Sequence, residues 1–185
     1  MILYLVGISC VGKSTVGKML AESINFTFFD LDIEIQNYYN MPIERIQDEC
    51  VSMFEYRDKA SEVLDILFSK NIDAVIAGTP SGLLCSYLYV YEKHKADKDL
   101  YSIHINDSCE NIVERLIFLD KDSNPIVEIL DEPKKKRYLK VLKDDYDFFK
   151  DSYKRADLKV NIHNTKLEDI PNLIIKKLQK QKVLL

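Results

Sequence analysis

The run Gly7-Ile8-Ser9-Cys10-Val11-Gly12-Lys13-Ser14-Thr15 carries two glycines, a lysine and a hydroxyl, that of Ser14, at the spacing G-x-x-x-x-G-K-[ST]. Glycines at those positions let the backbone curl so that successive N–H groups converge on a phosphate at a helix N-terminus, where the helix dipole adds attraction. A lysine placed like Lys13 bridges β- and γ-phosphates, and a hydroxyl like that of Ser14 gives its oxygen to Mg²⁺. The run lies between an apolar segment, Ile2–Val6, and a helical stripe of Val16, Met19, Leu20 and Ile24, the strand-to-helix context the motif requires. The residues Gly7, Ser9, Cys10, Val11, Gly12, Lys13, Ser14 and Thr15 are therefore expected to bind ATP with Mg²⁺. Cys10, at the helix mouth, has two readings: a thiol activated by the helix N-terminus or simply a loop residue. Gly17 inside the helix costs ~1 kcal/mol relative to alanine, which close packing of helix on sheet explains.

A second group of chemical residues follows the next apolar run. Phe28-Phe29-Asp30-Leu31-Asp32 ends on two carboxylates one residue apart. In phosphoryl transfer one carboxylate can order the shell of Mg²⁺ while the other takes the proton of an attacking hydroxyl. The competing reading makes Asp32 a cap or first-turn acid of the following helix. Farther on, Met53, Arg57, Ala60, Leu64 and Leu67 share one helical stripe, so Arg57 falls on an apolar line and needs an anion. A substrate carboxylate and an internal ion pair with Asp30 or Asp32 both satisfy a guanidinium fork. The chain has five glycines, and two of them, Gly78 and Gly82, follow a third apolar run. They mark a second loop at the carboxyl end of a strand, where open parallel sheets bind ligands.

These residues need a scaffold, and the pattern supplies one. Apolar runs at Ile2–Val6, Thr27–Asp30, Ala74–Ala77, Tyr101–Ile105 and Leu158–Ile162 alternate with segments of helical period near 50–70, 83–94, 108–119, 134–154 and 167–180. That is the signature of an α/β fold with a parallel sheet between helical layers. The stretch 120–133 has neither period, holds two prolines and is expected to be a mobile loop between helices. The 185 residues suit one domain. An apolar fraction of 46% and a charged fraction of 30% are those of an ordinary soluble protein, with no run approaching the ~20 residues of a membrane span. Met1–Val6 has no basic flank and reads as a buried strand, so the expected location is the cytoplasm. Cys10, Cys50, Cys85 and Cys109 form no ligand-like or disulfide spacing. A net charge of −4 gives no reason to expect nucleic acid, leaving small molecules as partners.

In their order along the chain these features resemble the shikimate kinase family of small P-loop kinases. The likeness rests on Gly7–Thr15 with Val16-Gly17 and Leu20-Ala21, on Phe29-Asp30-Leu31-Asp32, on Tyr56-Arg57 with Val63-Leu64, and on Val113-Glu114-Arg115-Leu116. It implies a nucleoside-monophosphate-kinase-like three-layer fold with five parallel strands in the order 2-3-1-4-5, a lid at about 120–133 and a substrate-binding helical segment at about 33–70. It implies further that Asp30 with Ser14 places the metal, that Asp32 and Lys13 are catalytic, and that Arg57, Gly78 and Thr79 join Asp32 in holding a carboxylated acceptor. Arg115 would lie against adenine, unless it is an ordinary surface residue. The expected protein is a monomer that binds neither nucleic acid nor membrane.

The sequence also departs from the family. Its glycine-rich acceptor loop corresponds to Ala77-Gly78-Thr79-Pro80-Ser81-Gly82, where Thr79 and Pro80 replace glycines and Pro80 removes an N–H. Asn124-Pro125 stands where the lid has an arginine before proline, and Phe149 aligns with another substrate arginine. Lys121 or the run Lys134-Lys135-Lys136-Arg137 is a candidate replacement cation, or else a solvated charge run. His94, His104 and His163 have no motif partner and read as structural or surface residues. A small-molecule kinase is thus the leading expectation, with a nucleotide-binding protein of different acceptor or no catalysis behind it. A GTPase is disfavoured because N-K-x-D and D-x-x-G are missing.

Overall fold

The computed structural model describes residues 1–97 and 99–184. Its main sheet is parallel, in the order β2 (Thr27–Asp30), β3 (Ala74–Ala77), β1 (Ile2–Val6), β4 (Leu100–Asn106) and β7 (Leu158–Asn161). This is the expected 2-3-1-4-5 order, with two short strands intervening in the numbering. β1 is buried at every position because helices cover both faces of the sheet. Its side chains alternate between two cores: Ile2, Tyr4 and Val6 join one, Leu3 and Leu5 the other.

The first core is closed by α2 (Leu31–Tyr39), α3 (Ile43–Glu49), α4 (Met53–Ser69) and α5 (Ser86–Lys95), and the second by α1 (Lys13–Ile24) and α8 (Ile170–Lys180). The segment 33–70 becomes separate helices because Asn40 ends α2 in a left-handed conformation and the Ser52 hydroxyl caps α4. α1 lies close on the sheet at Gly17, where a Cβ would come within 2.8 Å of the Phe28 ring.

Two expected elements differ. The helix expected over 108–119 is only α6 (Cys109–Val113), and the segment 120–133 is partly ordered as a hairpin of β5 (Phe118–Leu119) and β6 (Pro125–Ile126). The hairpin is set by a carboxylate-centred turn: Asp120 accepts from the N–H groups of Asp122 at 2.8 Å and Asn124 at 2.9 Å. Asn124, at the position of the lid arginine, therefore serves as a turn former. The hairpin leads into α7 (Glu132–Tyr153), capped by the Asp131 side chain.

Gly78 ends β3 against the fully buried Tyr4 ring, itself edge-on to Phe68 at 5.4 Å. A Cβ there would stand 2.6 Å from that ring. Gly78→Ala is expected to cost about 1–3 kcal/mol through overpacking, read as a lowered urea midpoint with an unchanged slope.

Candidate active site

The phosphate loop is shaped by contact as well as by motif. Gly7 has φ +151°, and a Cβ on it would meet the Ile105 carbonyl oxygen at 2.5 Å. Gly12 takes a left-handed conformation at the N-cap of α1, and no side chain caps that helix. The first N–H groups of α1 thus lack intrahelical acceptors and stand ready for an anion. Lys13 is 8% exposed, and its Nζ donates to the carbonyls of Gly7 at 2.8 Å and Ile8 at 3.0 Å. Burial lowers its pKa to about 8, against the opposing pull of Asp32, Cys10 and Asp30.

The carboxylate pair divides its labour. Asp30 is the N-cap of α2, its carboxylate accepting the Asp32 N–H at 3.1 Å, so the capping role considered for Asp32 falls to Asp30. Asp32 sits in the first turn and lines a cavity of about 330 Å³ with Glu44, Tyr56, Arg57, Thr79, Ser81 and Phe149. Burial first, then the charges of Asp30 and Glu44, raise its pKa to about 6 despite Lys13. For a divalent cation the chain offers the exposed Ser14 hydroxyl at the start of α1 and the Asp30 carboxylate near Lys13. Both are hard oxygen donors, and the described residues hold no self-contained metal cluster. That suits Mg²⁺, which binds through one or two protein oxygens together with substrate phosphates.

Arg57 is 6% exposed, and its Nε donates to Ser81 Oγ at 3.1 Å while the guanidinium lies 5.6 Å from the Phe54 ring centroid. Among the described residues no carboxylate comes within ion-pair distance of it. The internal pair with Asp30 or Asp32 is therefore not formed. Phe149 is half-buried in the wall of the same cavity, at the place where the resemblance led to an arginine.

The loop after β3 is held from two sides. The Tyr153 hydroxyl donates to the Pro80 carbonyl at 2.6 Å, Ser152 to that of Ser81 at 3.1 Å, and Tyr4 to that of Gly82 at 3.4 Å. Arg155 reaches the Leu83 carbonyl at 3.4 Å. Across the mouth of the cavity, Arg45 pairs with Asp122 and Ser123 donates to Glu44, joining α3 to the tip of the hairpin.

On the other side of the phosphate loop, Val11, Gly12, Thr15, Asp107, Arg115, Asn164 and Thr165 line a second cavity of about 490 Å³. Arg115 is anchored to Asp107 at 2.5 Å, and Asp107 also accepts from Asn111 at 2.9 Å. Two of the candidate replacement cations are engaged by neighbours: Lys134 pairs with Glu128 at 3.0 Å and Lys135 with Glu114.

The structure thus brings Lys13, Asp30, Asp32, Arg57 and Thr79 to the carboxyl end of the sheet, with Arg115 in the adjoining cavity. Sequence reasoning missed Glu44, Tyr56, Ser81 and Asp107. Glu44 lies on a seven-residue helix too short to show a period. Ser81 had a signal, since it stands between Pro80 and Gly82 in a loop already marked.

A phosphate loop opening α1, two aspartates at the junction of β2 and α2, one strand removed from β1, and a lined cavity beside them on a five-stranded parallel sheet define a small P-loop kinase. The sequence model of shikimate kinase matches residues 9–179, and the chain belongs to the shikimate kinase family. It is 30% identical over 159 residues to the shikimate kinase of Aquifex aeolicus, covering 85% of this chain and 84% of that one. The crystal structure of the Aquifex aeolicus shikimate kinase superposes with a TM-score of 0.74 at 26% identity, over 98% of each chain. The shikimate kinase of Acinetobacter baumannii in complex with shikimate shares the fold, with a TM-score of 0.77 at 20% identity over 99% of this chain and 95% of that one.

His104 on β4 lies under this site, 3% exposed and stacked on Tyr153 at 4.6 Å. Burial, then Lys159 and Lys13, lower its pKa from 6.5 to about 4. Between those values the unfolded chain binds a proton that the folded chain refuses, so stability falls as pH drops from 6.5 toward 4. The loss attributable to this residue is roughly 3 kcal/mol over that window, and urea unfolding at pH 7 and pH 5 should show a smaller difference in His104→Phe.

Proposed function

We propose that the chain transfers the γ-phosphoryl group of ATP to a hydroxyl of a carboxylated polyol of the shikimate type. The observation that carries the reading is Arg57: a buried guanidinium without a carboxylate partner, in the same cavity as Asp32. A cation so desolvated calls for an anion from the ligand.

In the proposed reaction the acceptor carboxylate lies on Arg57, which directs a hydroxyl toward Asp32. Asp32 takes the hydroxyl proton as the oxygen attacks the γ-phosphorus, the bond to the β-phosphate oxygen breaks, and ADP leaves. Its elevated pKa makes it a stronger base than an ordinary aspartate while leaving it mostly ionised at pH 7. Lys13 leaves the loop carbonyls for the β- and γ-phosphates, and the N–H groups at the start of α1 hold the phosphate chain. Mg²⁺, held by Ser14 and ordered by Asp30, would supply neutralisation of phosphate charge. Arg115, fixed by Asp107, flanks the nucleobase in the second cavity, and the segment 120–133 serves as the lid. No helix among the described residues is long and apolar enough to cross a membrane; we read the protein as a cytoplasmic monomer acting on small molecules.

A second reading keeps the chemistry and changes the acceptor. Phe149 leaves the cavity with a single buried cation and an apolar wall, which favours a ligand with less anionic charge than two arginines would hold. An ADP-release assay over shikimate, gluconate, nucleosides and nucleoside monophosphates separates the two.

Lys13→Ala should lower kcat by about 10²–10³-fold; equal turnover in this variant refutes the mechanism. Arg57→Ala should raise the acceptor KM by roughly 10²-fold while leaving the KM for ATP unchanged. Protonation of Asp32 removes the base, so kcat/KM for the acceptor should fall below an apparent pKa of about 6. Asp32→Asn should lower kcat by roughly 10²–10⁴-fold and abolish that acidic limb, as read from pH–rate profiles.

A further inference from the structure

Among the described residues, two buried side-chain oxygens have no hydrogen-bond partner: Thr79 Oγ1 and the Tyr87 hydroxyl. Thr79 is 3% exposed and Tyr87 fully buried. Both belong to the edge of the acceptor site. Thr79 lines the cavity with Asp32 and Arg57. Tyr87 reaches the same point from α5, its hydroxyl beside Thr79 and within the fields of Asp32 and Arg57. Buried hydroxyls are normally satisfied, and two unsatisfied ones at one place call for a common explanation.

Counting donors supplies it. Each hydroxyl has one proton to give. If Tyr87 gives its proton to Thr79 Oγ1, the Thr79 proton still needs an oxygen, and Thr79 Oγ1 bonds no loop carbonyl. The Pro80, Ser81, Gly82 and Leu83 carbonyls already accept from Tyr153, Ser152, Tyr4 and Arg155. Pro80 has no N–H, so a side-chain donor is what this loop can present to a ligand.

We propose that Thr79 and Tyr87 form a hydroxyl subsite of the acceptor cavity. Thr79 Oγ1 donates to an oxygen of the acceptor distinct from the anion on Arg57, and Tyr87 donates to Thr79 Oγ1, fixing its rotor. Thr79 contacts the acceptor, and Tyr87 is a positioning residue. This rests on the kinase reading above and adds that the acceptor carries a hydroxyl, carbonyl or ether oxygen on the face turned to the loop between β3 and α5.

The test compares wild type, Thr79→Val, Thr79→Ser and Tyr87→Phe on shikimate, its monodeoxy analogues and gluconate, with calorimetric MgATP binding as the control for folding. Thr79→Val should raise the acceptor KM about 5–10-fold with the KM for ATP unchanged, Tyr87→Phe about 2–3-fold, and Thr79→Ser should remain close to wild type. One monodeoxy analogue that wild type handles poorly should be used by Thr79→Val as well as its parent is. Unchanged acceptor KM and unchanged deoxy discrimination in Thr79→Val, with wild type active, overturn the subsite alone. A wild type that binds MgATP but neither binds nor phosphorylates any acceptor of the panel overturns the kinase reading, and the subsite with it.

Discussion

The architecture turns on an open helix end. α1 begins at a glycine with no capping side chain, directly after the central strand of a sheet covered on both faces. Among the described residues its first N–H groups have no acceptor, and Gly17 lets α1 pack closely on the sheet against Phe28 and Leu5. Such an uncapped helix start is complementary to an anion. The strand order sets β3 beside β1 and places β2 one position beyond, so the carboxylates and the second loop lie on one side of that helix start.

The acceptor half is assembled differently. It relies on side chains contributed by α2, α3, α4, the β3–α5 loop and α7, and three charged groups in or beside it are unfavourable where they stand. Asp32 is raised by burial and by neighbouring carboxylates, Lys13 is lowered by burial, and Arg57 is desolvated with only a hydroxyl and an aromatic ring for company. The surrounding structure holds them there: the end of α7 fastens the loop after β3 through three carbonyls, and Asp30 fixes the turn into α2. Such stored electrostatic strain is what a site does when ligand charge is to relieve it.

The sheet and the donor half were legible in the sequence because they obey local rules. Five apolar runs, a motif whose glycines have steric reasons, and two aspartates separated by one residue gave their places to within a residue or two. The stripe that put Arg57 on an apolar face read its burial correctly, while the absence of an internal carboxylate partner required the tertiary structure. What escaped was set by contacts distant in sequence or by short elements. A helix of seven residues shows no period, so Glu44 was invisible; a turn built on Asp120 folded the segment beyond α6 back as a hairpin. Tyr87 lay on a helix like any core tyrosine, and only the tertiary structure brings its unpartnered hydroxyl beside that of Thr79.

The two halves consequently tolerate sequence change unequally. The start of α1 presents main-chain amides, which most substitutions leave in place once the glycines are kept, so that part of the molecule is buffered against mutational drift. The cavity beside Asp32 has no such buffer, since its wall is made of side chains, those of residues 57, 79, 80 and 149 among them. A lineage carrying this scaffold can alter what it phosphorylates by a few replacements along that wall while folding, nucleotide affinity and phosphoryl chemistry stay intact, and the exchanges at Thr79, Pro80 and Phe149 lie on that wall.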